Sequence, residues 1–279
     1  MNKHGNHIEL IKANGPWPFI TQRIYRLPDD SQLLWRSRHH RKHLNRVEID
    51  RLITCLWMPE ELNWWIGIIF ALGSMLFALG SIFSLLPSLA NRWSLDVIAI
   101  NSIFFMGSIP FTIAAYLQLW QAQNAGHFLP QARRSPRRMV WFAWKPRDIG
   151  WLSCAWQFLG TILFNVSTFE AMLPGLQWFK QDLMIWIPDL LGSIFFLVSG
   201  YLAFMETCHA YWQWQPTNLS WWVTFINLLG CVAFMISALF AFVTPKVSSF
   251  DVTISLVFTL IGAICFFFGS LLMLPETVH

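Results

Sequence analysis

The sequence predicts an all-α polytopic membrane protein whose six transmembrane helices form three tandem hairpin repeats about a pseudo-threefold axis. Three observations carry this. Of the 279 residues, 55% are hydrophobic and only 12% charged, with 17 Trp and 25 Phe, more apolar surface than a soluble domain of this size hides. Six stretches, roughly 62–87, 97–121, 150–173, 183–206, 219–244 and 252–274, each reach the ~20 apolar residues that a spanning helix needs. A Trp-x-Pro-x-x-Leu/Ile-x-Trp phrase also occurs three times, at Trp57–Trp64, Trp144–Trp151 and Trp214–Trp221.

Nine residues after the last Trp of each phrase a Gly opens Gly-x-x-x-Phe-x-x-small: Gly73/Phe77/Gly80, Gly160/Phe164/Ser167 and Gly230/Phe234/Ser237. The even-numbered segments repeat it as Gly107/Phe111/Ala114, Gly192/Phe196/Ser199 and Gly262/Phe266/Gly269. Small residues on one face let helices approach closely where lipid offers no hydrophobic drive, so Gly73, Gly107, Gly160, Gly192, Gly230 and Gly262 are assigned to helix packing. Pro87, Pro174 and Pro245 follow the odd-segment glycines by fourteen or fifteen residues, and Asp96, Asp182 and Asp251 precede the even-segment ones by ten or eleven. Proline ends a helix and aspartate suits an N-cap, so each hairpin turns between them.

These marks divide the chain into a basic N-terminal arm (1–56), hairpins at 57–126, 144–210 and 211–279, and a basic loop at 127–143. Of nineteen Lys and Arg, ten precede the first segment and six lie between the second and third, among them Arg133, Arg134, Arg137 and Arg138; the hairpin turns hold only Arg92, Lys180 and Lys246. The bias predicts that both termini and the 122–148 loop are cytoplasmic. An odd helix starting at Pro59 and ending at Pro87 would be ~43 Å long against a ~30 Å hydrocarbon core, so Trp57, Trp64, Trp144, Trp151, Trp214 and Trp221 are expected as interfacial anchors.

The phrases Ile66–Ser74, Leu190–Ser199 and especially Ile261-Gly-Ala-Ile-Cys-Phe-Phe-Phe-Gly-Ser270 resemble the YrhK-type two-helix membrane domain, over about residues 57–275. The resemblance implies a bacterial inner-membrane protein with no catalytic residues to carry over.

Function is sought where the repeats differ. Glu170 replaces the Phe83 and Phe240 of the other odd segments, and Asp189 replaces Phe104 and Thr259 of the even ones. An ionisable residue at membrane depth costs at least ~2 kcal/mol, which makes the pair, with Asn165, a candidate proton, cation or solute site in the middle hairpin. The competing expectation has Glu170 reaching the outer interface and Asp189 hydrogen-bonded to Asn165, Thr168 or Ser193.

Glu206-x-x-His209 has the spacing of a metal-binding helix, but Gln121 and Glu276 stand at the same offset in the other hairpins, so Glu206 is read as a generic polar helix end and no metal or cofactor is expected. Arg36, Arg38, Arg41 and Lys42 surround His39, His40 and His43 and are read as a basic arm lying on anionic phospholipid headgroups. No phosphate-binding loop, nucleophile elbow or nucleic-acid motif occurs, so neither an enzyme nor a nucleic-acid partner is expected. Two readings follow: translocation of a proton, cation or small solute through the middle hairpin, or a non-enzymatic scaffold that docks a protein partner, another copy or anionic lipid at its cytoplasmic rim.

Overall fold

The computed structural model describes residues 8–44, 55–126, 139–174, 177–242 and 249–276. Two short helices, α3 (Pro87–Arg92) and α6 (Trp178–Gln181), lie in hairpin turns, and six helices long and apolar enough to cross a membrane dominate the rest: α2 (Leu62–Leu85), α4 (Val97–Asn124), α5 (Ile149–Glu170), α7 (Ile187–Cys208), α8 (Leu219–Phe240) and α9 (Ser249–Glu276). Each of the six packs on the next in chain order, and α9 returns to pack on α2, so they close into a ring.

The waist of each hairpin repeats one contact. A Cβ on Gly73 would fall 2.8 Å from Phe111 and 2.9 Å from the Gly107 carbonyl oxygen; one on Gly160 would fall 2.6 Å from Phe196 and 3.1 Å from the Gly192 oxygen. At Gly230 the corresponding distances are 3.2 Å to Phe266 and 3.3 Å to the Gly262 oxygen. The signature glycines therefore abut in pairs and each signature Phe covers its partner's Gly, as the packing assignment requires.

All six signature phenylalanines are buried and meet on the ring axis. Phe111, Phe196 and Phe266, from the even helices, form a triangle with centroids 6.5, 5.9 and 5.8 Å apart. Phe234 lies 6.0 Å from Phe77 and 5.9 Å from Phe164, bringing the odd helices' rings together as well. Edge-to-face pairs inside the hairpins, such as Phe77–Phe111 at 5.5 Å and Phe164–Phe196 at 4.9 Å, tie the two sets together.

The Trp-Pro phrases behave differently from the expectation. The odd helices begin not at the proline but three residues later, at Leu62, Ile149 and Leu219, after a turn. Asp148 caps α5 by accepting from the Gly150 and Trp151 amides, and Asn218 caps α8 by accepting from that of Ser220. Helix α2 is thus 24 residues long, about 36 Å at ~1.5 Å per residue, and fits a bilayer without a long interfacial overhang. Of the six tryptophans that bound the phrases, Trp57, Trp144 and Trp214 are exposed, and Trp64, Trp151 and Trp221 are buried. First and last indoles pack edge to face at 5.6, 5.2 and 4.6 Å, so the phrase is a staple that fixes the approach to each odd helix. The reason is geometric: the first indole stands outside the helix, while the last, two residues into it, turns toward a neighbouring helix.

Among the hairpin aspartates, Asp96 caps α4 by accepting from the Ala99 amide at 2.7 Å. Asp182 instead opens a π-helical turn (Asp182–Trp186) ahead of α7, and Asp251 lies in the first turn of α9. Pro188 stands at the start of α7 and Pro110 inside an unbroken α4. Pro245, Lys246 and the loop arginines Arg133, Arg134, Arg137 and Arg138 fall outside the described residues.

The N-terminal region carries an element the sequence reading lacks. Strands β1 (Glu9–Asn14), β2 (Gln22–Arg26) and β3 (Gln32–Arg36) form an antiparallel sheet, followed directly by the short helix α1 (Ser37–Arg41). Pro28-Asp29-Asp30-Ser31 turns β2 into β3: Asp30 adopts φ 63°, and the Asp29 carboxylate accepts from the Ser31 amide and hydroxyl. The sheet leans on the chain after α7, where Thr21 Oγ1 lies 2.9 Å from His209 Nδ1 and the Tyr211 hydroxyl donates to the Trp17 carbonyl at 3.0 Å.

The Trp221 indole N–H donates to the Gln213 carbonyl at 2.9 Å, whereas that of Trp151 is buried with no hydrogen-bond partner. Thermal or denaturant unfolding in detergent is therefore expected to show Trp221→Phe costing roughly 1 kcal/mol more than Trp151→Phe, the difference being the one hydrogen bond. Equal costs would show that this bond contributes nothing.

Candidate functional site

The closed ring leaves a cavity of about 60 Å³ on its axis, on the side of the phenylalanine layer that faces α1. That exceeds the ~10–15 Å³ that one ordered water needs. All six ring helices line it. Phe70 (α2), Phe196 (α7) and Phe266 (α9) supply apolar wall, and Gln118 (α4), Gln157 (α5) and Asn227 (α8) supply amides. Beyond it, a void of about 10 Å³ is enclosed by Phe77, Ser108, Phe111, Phe164, Phe196 and Phe234.

Repeat register explains the wall. Phe70, Gln157 and Asn227 each lie three residues before their helix's signature Gly, so one position, turned inward three times, is apolar once and amide twice. The Asn227 side-chain NH₂ is spent on the Val223 carbonyl at 2.7 Å. Ser153 and Ser199 bond across α5 and α7, Ser199 Oγ reaching the Ser153 carbonyl at 2.7 Å and Ser153 Oγ the Ser199 carbonyl at 3.0 Å. Thr224 and Ser270 donate to carbonyls of their own helices. Gln118 and Gln157 make no side-chain hydrogen bond to any described residue.

The mouth is closed by α1. Arg38, Arg41 and Lys42 are 5%, 4% and 2% exposed, so they do not lie on lipid headgroups as expected for a basic arm; Arg36, at the end of β3, is half-buried. Arg38 grips Glu276 with two bonds, Nε to Oε1 at 2.8 Å and Nη2 to Oε2 at 3.0 Å, and Lys42 Nζ reaches the same carboxylate at 2.7 Å. Arg41 holds Glu206 through Nη2 at 2.8 Å and Nε at 3.1 Å, Ser37 Oγ donates to Glu206 at 2.6 Å, and Arg41 Nη1 points to Cys154 Sγ at 3.7 Å. Gly150 makes room, because a Cβ there would stand 2.6 Å from both Arg41 Nε and Glu206 Oε1.

Glu206 and Glu276 are therefore not generic helix ends. Each lies fourteen residues after its even-helix glycine, and carboxylates buried there demand cations, which the N-terminal region supplies. Gln121, their neutral counterpart in the first hairpin, is also buried and its Oε1 has no hydrogen-bond partner. The recurring offset was visible in the sequence, but which cation meets which acid was not.

Burial works against the Arg41 cation, but Glu206 outweighs it and holds the guanidinium ionised above its ordinary range. Burial, with Arg38 alongside, pulls the Lys42 ammonium down to about 7 against the opposite pull of Glu276. His39 and His209 are both lowered to about 4, chiefly by burial and secondly by Arg36.

The middle-hairpin residues sit elsewhere. Asn165 Nδ2 donates to Thr112 Oγ1 at 2.8 Å, tying α5 to α4, and its Oδ1 is buried without a partner. Thr168 reaches Ser108 at 3.2 Å across the same pair of helices. Glu170 closes α5 with Oε2 buried and unpartnered, and Asp189 lies in the first turn of α7. No hydrogen bond joins Glu170 to Asp189 or either to Asn165, and none of the three lines the cavity. Comparison with known proteins adds no relative: no family model matches the chain, and no curated protein or solved structure matches it significantly.

Removing one partner of a fully buried pair strands a charge, so Glu206→Gln is expected to destabilise the protein by about 3–5 kcal/mol, and Arg41→Met combined with Glu206→Met to recover most of that. A double-mutant cycle of unfolding in detergent measures it. The histidines set a pH dependence. Folded, they stay neutral down to about 4; released, they take up protons near their ordinary 6.5, so stability falls as pH drops through 6.5 toward 4. A melting series over that range is expected to show the decline, with His39→Gln and His209→Gln each flattening it by about one proton.

Proposed function

We propose that this is a multi-pass, non-enzymatic membrane protein that binds and passes a small polar solute along the axis of its helical ring, capped at the cytoplasmic mouth by the N-terminal sheet and α1. The observation that carries the reading is the pair of amides, Gln118 and Gln157, without a hydrogen-bond partner among the described residues and held over an axial cavity among apolar helices. Polar groups inside a membrane are costly unless satisfied, and a site that leaves them unsatisfied by protein is built to be satisfied by something else. The phenylalanine layer closes one end of the path and the arginine–carboxylate pairs the other, the arrangement of an occluded state that opens to alternate sides.

In this reading the three hairpins are copies of one two-helix unit, akin to the YrhK-type domain, related by a threefold axis that coincides with the path. The path belongs to the ring and not to the middle hairpin, because Asp189 and Glu170 lie off the cavity wall. The Lys and Arg bias supports an orientation with α1 and both termini on the cytoplasmic side, and the likeness to the YrhK-type domain supports a bacterial inner membrane.

Uptake of labelled urea, glycerol, acetate and methylammonium into proteoliposomes holding the full chain tests it. At least one solute is expected to enter faster than into protein-free vesicles, and Gln157→Leu to slow that entry about tenfold, the ~1.4 kcal/mol of one hydrogen bond. No accelerated solute, or a loss with Asp189→Asn and none with Gln157→Leu, would overturn the reading.

A further inference from the structure

We propose that the cavity takes a small uncharged molecule bearing both hydrogen-bond donors and acceptors, of the size and polarity of urea or glycerol. This rests on the translocation reading above and names its substrate class. Three observations lead to it. The first is charge. Among the described residues, the only ionised groups on the cavity wall are Arg38 and Arg41, and each already meets a carboxylate through at least two hydrogen bonds. An anion entering there has to compete with Glu206 and Glu276, buried within the same cluster, and a cation faces two guanidiniums with no free carboxylate among the described wall residues to receive it.

The second is hydrogen-bonding capacity. The wall hydroxyls of Ser153, Ser199, Thr224 and Ser270 donate their protons to backbone carbonyls, which leaves them as acceptors. Gln118 and Gln157 each hold an unused NH₂ and an unused carbonyl, and Asn227 keeps an acceptor oxygen once its NH₂ has gone to Val223. The free set therefore pairs donors with acceptors in one small volume, matching a solute that offers both and no net charge. A site of this kind rejects an analogue that leaves its polar groups unpaired.

The third is shape. At the inward position shared by the three odd helices, Phe70 faces the cavity where Gln157 and Asn227 stand in the other two, and Phe196 and Phe266 floor it. One side of the solute is hydrogen-bonded and the other rests on ring faces. At about 60 Å³ the cavity admits only a few heavy atoms.

The experiment is selectivity of uptake by the full-length protein in proteoliposomes, with labelled urea, glycerol, acetate and methylammonium as probes at equal concentration. Urea or glycerol is expected to enter at least tenfold faster than into empty vesicles while acetate and methylammonium stay at background. Gln118→Leu and Gln157→Leu are each expected to lower that uptake about tenfold, with melting temperature and elution volume confirming that the variants fold. Uptake of acetate or methylammonium with urea and glycerol at background overturns the neutral class and leaves the translocation reading standing; background uptake of all four overturns both. Folded glutamine variants with undiminished uptake overturn the site, and if neither variant folds, the selectivity of the unaltered protein decides alone.

Discussion

The close approach of two glycines at the waist of every hairpin is the constraint on which the rest depends. In lipid no hydrophobic force draws helices together, so contact has to come from backbones that fit. Gly73 against Gly107, Gly160 against Gly192 and Gly230 against Gly262 supply that fit, each roofed by the opposite helix's phenylalanine. Because the phenylalanines sit one turn beyond the glycines on the same face, they are carried to the axis once the six helices close. One local contact, made three times, thus draws the hairpins tight and seals the middle of the ring.

The ring end that receives the N-terminal region faces the opposite problem. Two carboxylates, Glu206 and Glu276, would be stranded at the ends of α7 and α9 without cations. The short helix after the sheet brings three, and the ion pairs fix α1 in one place, because a guanidinium held by two parallel bonds tolerates little rotation. Such pairs are poor sources of net stability but demanding of geometry, which suits a cap that must seat one way. The first hairpin, with Gln121 at the equivalent position, takes no share of this charge, so the ion pairs of the cap fall on the second and third.

Between the two closures the wall departs from the repeat. Where packing alone is required, the three copies agree: Phe, Gly and small residues recur in register. Where they disagree, as at Phe70, Gln157 and Asn227, the side chains surround the cavity. The carboxylates singled out for the same reason, Glu170 and Asp189, are departures too, but they lie off the axis. Departure from a repeat marks a place freed from the common packing role, and depth along the helix decides whether that place faces the interior.

The helical body was legible because its causes are local: apolar length sets a span, and Gly-x-x-x-Phe sets a packing face. The sheet was hidden in residues 9–36 although Pro28-Asp29-Asp30-Ser31 between two short runs with Ile24, Tyr25, Leu33 and Trp35 is a hairpin signal; the surrounding charge of the arm masked it. The tryptophan phrases are legible as a repeat, but spacing along a chain does not say which indole turns inward: Trp64, Trp151 and Trp221 do, and Trp57, Trp144 and Trp214 stay exposed. By itself the sequence determined six apolar helices, their three-copy register and the residues that let them touch. Only the tertiary structure decided that the helices close into a ring, that Arg38, Arg41 and Lys42 are buried against Glu206 and Glu276, and that Gln118 and Gln157 share one cavity. The ion pairs join residues more than a hundred positions apart, and the cavity shared by Gln118 and Gln157 is walled by all six helices, so both exist only once α9 has come back to α2.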